Sequence, residues 1–201
     1  MALEVITAPA TDPVTTAECK THSRISTSDD DALIALYITR AREYAEDFLE
    51  RTLITTTYDV HLDGFFDRTY VTGGVVQVPR PPLQSVTSIK YLDDNGDQQT
   101  WSSSLYRVDT KSSPGRITPA YGETYPSTRG VTGDVIFRVV AGFGDASAVP
   151  ETFKVGLKQL VGALYDFLRE SHGRAFGAGA SIRDMPWAGD LAFWPRRMMS
   201  F

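Results

Sequence analysis

Cysteine is almost missing from this sequence. Cys19 is the only one in 201 residues, which excludes an internal disulfide and fits a reducing interior. Histidine is sparse as well. His22, His61 and His172 lie in three different stretches, none with a second His, Cys or carboxylate at metal-ligand spacing, so neither zinc nor any other cofactor is expected. No uninterrupted apolar run approaches the roughly 20 residues of a membrane helix. The opening MALEVITAPATDP has no basic stretch followed by an apolar one, so no signal peptide is expected. Positive charge is not in excess either: 20 Lys and Arg stand against 25 Asp and Glu, a net of −5. The chain as a whole is therefore no electrostatic trap for nucleic acid.

What is present suits a globular chain with a real core, at 42% hydrophobic and 22% charged residues. Thr15 followed by Glu18 predicts a capping box opening a short helix over 16–24. A longer helix follows, with Ser28 and the Asp29–Asp31 run at its positive end. Leu33, Tyr37, Ala41, Tyr44 and Phe48 recur at helical spacing, and Ile34, Ile38, Ala45 and Leu49 widen the stripe. After Leu53 the residues turn β-branched and alternate, as in Tyr58, Val60 and Leu62. Asn95-Gly96 marks a tight hairpin turn between Val86–Tyr91 and Trp101. Further short strands run to about residue 147. Pro150 suits the first turn of a last helix, whose apolar face is Phe153, Leu157, Leu160, Val161, Leu164 and Leu168, with Gly173 as its stop. The expected class is α+β: a helical body (1–53 and 148–172), an antiparallel β insertion (54–147) and an extended C-terminal arm (173–201).

No catalytic constellation emerges, and no enzyme is expected. Asp59, His61 and Asp63 alternate along one strand and read as a solvated face. Cys19 has no nucleophile signature and reads as a small half-buried residue. GAGAS at Gly177–Ser181 follows a helix rather than a strand and lacks the Lys-Ser or Lys-Thr of a phosphate loop, so it reads as a hinge. Lys90, Arg107, Lys111 and Arg116 are interspersed with Asp93, Asp94, Asp97 and Asp109, which reads as a mixed surface.

The arm is the oddest segment. Pro186 and Pro195 prevent a continuous helix, yet Trp187, Phe193, Trp194 and Phe201 are too apolar for a free tail. From Gly173 onward there are four Arg and two Asp, a net of +2 on an acidic chain.

PVTTAECKTHSRI, DDDALIALYITRAREYAEDFLERTLITTTYDVHLDGF, VPRPPLQSVTSIKYLDDNGDQQTW, LYRVDTKSSPGRITPAYGETYP and VIFRVVAGFGDASAVPETFKVGLKQLVGALYDFLRE together resemble the phage head–tail connector (adaptor) family of long-tailed phages, prophages and gene transfer agents. The resemblance runs from about Pro13 to Glu170 and leaves the tail outside it. It implies a virion protein, assembled in the bacterial cytoplasm, that forms a homo-oligomeric ring, commonly a dodecamer. The ring would sit between the portal protein and a tail-side completion or stopper protein. DNA would pass through its channel without specific binding, and no membrane is involved. The other classes weighed are a DNA-packaging accessory and an unrecognised enzyme. From the residues themselves, beside the resemblance, the wide apolar stripe of the long helix puts Leu36 and Tyr37 at an expected subunit interface. Glu43, Glu46, Asp47 and Glu50 are expected to line the channel. The expected portal anchors are Trp187, Phe193, Trp194 and Phe201, with Arg196 and Arg197 pairing to carboxylates.

Overall fold

The computed structural model describes residues 2–65, 71–72 and 74–173, and for 71–72 and 167–173 the backbone alone. The chain divides into two units, residues 1–10 with 54–143 and residues 11–53 with 144–201.

The first unit is all β. Strand β1 (Ala2–Thr7), β2 (Thr56–Leu62), β3 (Val71–Thr72), β4 (Val75–Val78), β5 (Leu83–Leu92), β6 (Gln98–Trp101), β7 (Tyr106–Asp109), β8 (Gly115–Pro119) and β9 (Val135–Ala141) form it. They make a five-stranded sheet of order β1-β2-β9-β5-β6 and a four-stranded sheet of order β3-β4-β8-β7, with antiparallel pairing throughout. Strand β9 shows why. Val135, Phe137, Val139 and Ala141 point inward and are buried, while Ile136, Arg138 and Val140 alternate outward. Those inward residues share one core with Val60, Ile89 and Trp101 of the larger sheet and with Val76, Val78, Ile117 and Tyr106 of the smaller. Phe65 is central to it. It stacks on Tyr125 at 5.1 Å and meets Trp101 edge-on at 5.3 Å, geometries that add to simple burial.

Two features differ from expectation. Residues 2–7 were assigned to the helical body, but they form β1, which pairs with β2 from Ala2 opposite His61 to Thr7 opposite Thr57. The hairpin turn is also longer than an Asn-Gly pair. Asp93 accepts at its carbonyl from Gly96 N–H and donates its own N–H to the Asp97 carbonyl. Gly96 sits at φ 91°. This is the three-residue loop that ends in a left-handed residue. The Asp93 carboxylate secures it by accepting from the N–H groups of Asn95 and Asp97.

The second unit holds α1 (Thr16–Ser23), α2 (Asp31–Leu49) and α3 (Glu151–Gly173). The α+β class expected from the sequence holds. The predicted capping box is present at α1: Thr15 Oγ1 accepts from Glu18 N–H, and the Glu18 carboxylate accepts from Thr15 N–H at 2.7 Å. The cap expected on α2 is not formed. Asp30 occupies that position without a side-chain cap bond, because its carboxylate accepts from Tyr165 Oη instead, at 2.7 Å. Asp31 is paired to Lys20 at 2.6 Å. Gly162 of α3 faces α1 closely: a Cβ there would lie 2.9 Å from Ser23 Oγ. The core joins Ile34, Ile38, Ala41, Ala45 and Leu49 of α2 to Phe153, Leu157, Val161 and Leu164 of α3, with Cys19 from α1.

Candidate functional site

The residues with chemical potential each have a separate partner. Asp59 is held by Arg138 through two hydrogen bonds of 2.8 and 2.7 Å. Those bonds and the nearby guanidinium charge hold its carboxyl below the usual range despite partial burial. His61 Nε2 lies 3.5 Å from Glu4, and Asp63 accepts from Gly133 N–H at 2.8 Å. The three side chains take different partners, and Asp59, 7% exposed, does not belong to the solvated face expected of this stretch. Cys19 is buried, and desolvation with the Glu18 charge pushes its thiol up to about 11, the opposite of an activated nucleophile. Among the described residues no group of three or more His, Cys, Asp or Glu is placed to hold a metal ion. No described helix is long and apolar enough to cross a membrane.

The predicted assembly residues fall in different environments. Leu36 is 67% exposed on α2. Its neighbour Tyr37 is 7% exposed and buried within the unit, so of that pair only Leu36 presents a surface. The expected acidic face needs a correction too. Glu43 and Asp47 are exposed and Glu50 is half-buried at the left-handed end of α2, at φ 52°. Glu46 is buried. One of its oxygens accepts from Arg42 at 3.0 Å and the other from Leu53 N–H at 2.8 Å. A carboxylate engaged in this way cannot line a channel. Glu43 and Asp47 keep the i,i+4 spacing of one helix face, with Glu50 just past its end. The anchors Trp187, Phe193, Trp194, Arg196, Arg197 and Phe201 lie outside the described residues.

Arg42 is the feature that the sequence reading missed. It is buried, donates to Asp12 at 2.7 Å through Nε, and pairs with Glu46. Burial works against its charge, but the bond to Asp12 and the Glu46 carboxylate outweigh it and raise its already high pKa. The i,i+4 spacing of Arg42 and Glu46 was a readable signal. What hid the pair was the assumption that charged residues on α2 face water.

A groove opens in the helical unit beside the start of α2. It has a volume of about 570 Å³ and is lined by Ile25, Leu33, Tyr37 and Tyr165, with the carboxylates of Asp30 and Asp166. The bond from Tyr165 Oη to Asp30 fixes one wall.

Residues 14–105 match the family described as phage gp6-like head-tail connector proteins, so the resemblance seen in the sequence is borne out over that stretch. The fold is also that of chains in gene transfer agent (GTA) particles. One, from the neck of an empty GTA particle computed with C6 symmetry, is 22% identical with a TM-score of 0.74. Another, from the virion of a native GTA particle, is 21% identical with a TM-score of 0.72. A third, from the neck of a native GTA particle computed with C12 symmetry, is 20% identical with a TM-score of 0.71. Each likeness covers 100% of this chain and 97% of the other. No curated protein matches the chain.

Proposed function

We propose that this protein is a structural head–tail adaptor of a tailed phage or gene transfer agent. Copies of it form a ring between the portal protein and the tail-side completion protein, assembled in the bacterial cytoplasm and retained in the particle. The observation that carries this reading is the agreement of two independent likenesses, the connector-family match over residues 14–105 and a fold shared along the whole chain with neck components. The related neck structures were computed with C6 and C12 symmetry. A dodecamer satisfies both, because a twelvefold axis contains a sixfold one. That supports twelve copies here.

Within the ring, Leu36 packs against a neighbouring subunit, because with Leu33, 40% exposed three positions earlier, it leaves an apolar pair uncovered on one face of α2. Glu43, Asp47 and Glu50 turn toward the channel and repel the DNA backbone, so that the duplex slides without being bound. The arm from Gly173 docks on the portal through Trp187, Phe193, Trp194 and Phe201, with Arg196 and Arg197 on partner carboxylates. The role is structural, with no catalysis. Electron microscopy of the chain mixed with its portal protein tests the proposal. A ring of this protein capping one end of the portal supports it. A mixture in which the two remain separate at micromolar concentration, with no added density on the portal, sinks it.

A further inference from the structure

The sequence from residue 174 to 201 places Trp187, Phe193, Trp194 and Phe201 beside four arginines and two aspartates. Large aromatic groups are costly to leave in water, so the arm needs cover before any portal is present. We propose that in the free subunit the aromatic end of the arm, Trp187 to Phe201, folds back into the groove of its own helical unit between the start of α2 and the wall formed by α3. The inference goes beyond the adaptor reading and does not depend on it, because groove and arm belong to the same isolated chain.

Three observations favour this occupant. The groove offers the apolar and aromatic side chains of Ile25, Leu33, Tyr37 and Tyr165 among polar ones from Ser23, Ser26 and Thr27, and Leu33 on its rim is still 40% exposed. At about 570 Å³ it lies within the range of clefts that enclose compact ligands. The charges also match. Asp30 and Asp166 line the groove against one arginine, Arg24, while Trp187–Phe201 carries Arg196 and Arg197 against Asp190, a net of +1. Arginine beside tryptophan suits a site that pairs carboxylates with tyrosine rings. Finally, the reach is sufficient. Tyr165 and Asp166 line the groove, and α3 continues from Tyr165 to Gly173, about 12 Å at ~1.5 Å per residue. The stretch 174–186 can span about 43 Å at ~3.3 Å per residue when extended, more than enough to return. A tether of that length sets an effective concentration near the millimolar range, which favours a chain's own arm over that of a second copy in dilute solution.

The consequence is an arm held in reserve. A subunit that meets no portal keeps its sticky residues covered, and docking exchanges the groove for the partner. The same cover would screen α2 next to Leu36 until assembly begins.

Tryptophan fluorescence of the full-length chain, without portal, tests the idea. Trp101 is 4% exposed in the β unit and supplies a constant buried signal, so changes report on Trp187 and Trp194. The expected result is blue-shifted emission with weak acrylamide quenching, unchanged on dilution. Leu33→Arg, and separately Asp166→Arg, alter exposed side chains. Each should shift emission to the red and at least double the quenching constant while the circular dichroism spectrum stays the same. Should Leu33→Arg perturb the fold, the exposed Asp166→Arg variant alone decides the matter. Arm tryptophans that are freely quenched in the unaltered chain, or quenching indifferent to a folded groove variant, would overturn the proposal. So would protection that disappears on dilution, which would assign the groove to a second copy. Because no portal is present, none of these outcomes bears on portal docking.

Discussion

Arg42 is the side chain that most clearly ties sequence to architecture in the helical unit. Its guanidinium joins Asp12, ahead of α1, to Glu46 on its own helix, and Glu46 in turn holds the backbone N–H of Leu53 where the chain leaves the unit. Both Arg42 and Glu46 are 8% exposed. Removing one partner of a buried pair strands the other charge, which typically costs about 3–5 kcal/mol. Arg42→Ala should therefore destabilise the chain by that order in urea titration, and Arg42→Lys should recover only part, since an ammonium cannot reproduce the fork that meets two carboxylates. An unchanged urea midpoint for Arg42→Ala would remove the network from the account. Asp59 makes a different, pH-dependent contribution. Its folded carboxyl is held below its ordinary value of 3.8, chiefly by the Arg138 hydrogen bonds. A lowered folded pKa means that the stabilisation is fully present above the unfolded value and is lost as pH falls through the folded one. The urea midpoint should thus gain nothing from this pair between neutral pH and about pH 5, and it should fall below about pH 4. Asp59→Asn should be less stable at pH 7 and show a shallower acid limb. Equal acid slopes for the two proteins would rule this pair out as a source of acid sensitivity.

At the scale of elements, legibility followed the strength of the local signal. The 19 residues of α2 carried a wide periodic stripe, and the alternation in β9 was complete, so both were readable. The capping box of α1 was readable because Thr15 and Glu18 can satisfy each other without help from the rest of the chain. The cap on α2 was not, because Asp30 is claimed by Tyr165, 135 positions away in sequence. Strand β1 was missed for a related reason. Five of its six residues are exposed, so it has no one-sided apolar pattern to mark it, and only pairing with β2 makes it a strand. The division of the β unit into two sheets was equally hidden, since short strands do not announce their partners. Gly142 marks a close approach that local reading could not supply either. It follows β9 at φ 118°, and a Cβ there would stand 2.6 Å from the Ile54 carbonyl oxygen, a backbone atom that cannot swing aside. Gly142→Ala should lower stability by about 1–3 kcal/mol, the usual cost of a sparsely populated backbone geometry. Gly74→Ala serves as the comparison, also at positive φ, 79°, and with no atom of the described residues within 4 Å. If the two variants are equally destabilised, backbone strain alone accounts for the effect and the close approach contributes nothing.

For the whole molecule the open question is how separate subunits become one assembly. Leu36 leads on the ring side, because it is the most exposed aliphatic side chain named on α2. Leu36→Asp should leave the thermal midpoint of the isolated chain nearly unchanged, as surface substitutions usually do within about 0.5 kcal/mol, while abolishing rings in electron micrographs made with portal. Rings of normal appearance would show that the neighbour contact lies elsewhere. The arm leads on the portal side, and its test is a chain ending at His172. The shortened chain keeps the whole described core, from Val14 to Tyr165, so it should keep its folded spectrum, with a urea midpoint lowered only by the loss of the arm's cover on the groove. It should lose binding to portal, because each large aromatic anchor contributes on the order of 1–3 kcal/mol, less the cost of ordering the arm. Loss of two anchors, roughly 2–6 kcal/mol before the ordering cost is subtracted, then lowers affinity by about 30-fold to about 20,000-fold, since about 1.4 kcal/mol is a factor of ten. Replacing only Trp187 and Trp194 by Ser in the full chain should give a smaller loss in the same direction. Substituting Arg196 and Arg197 by Gln should weaken binding mainly at low salt, where charge pairing is least screened. A truncated chain that binds portal with full affinity would assign the contact to the described residues and leave the arm to its own subunit.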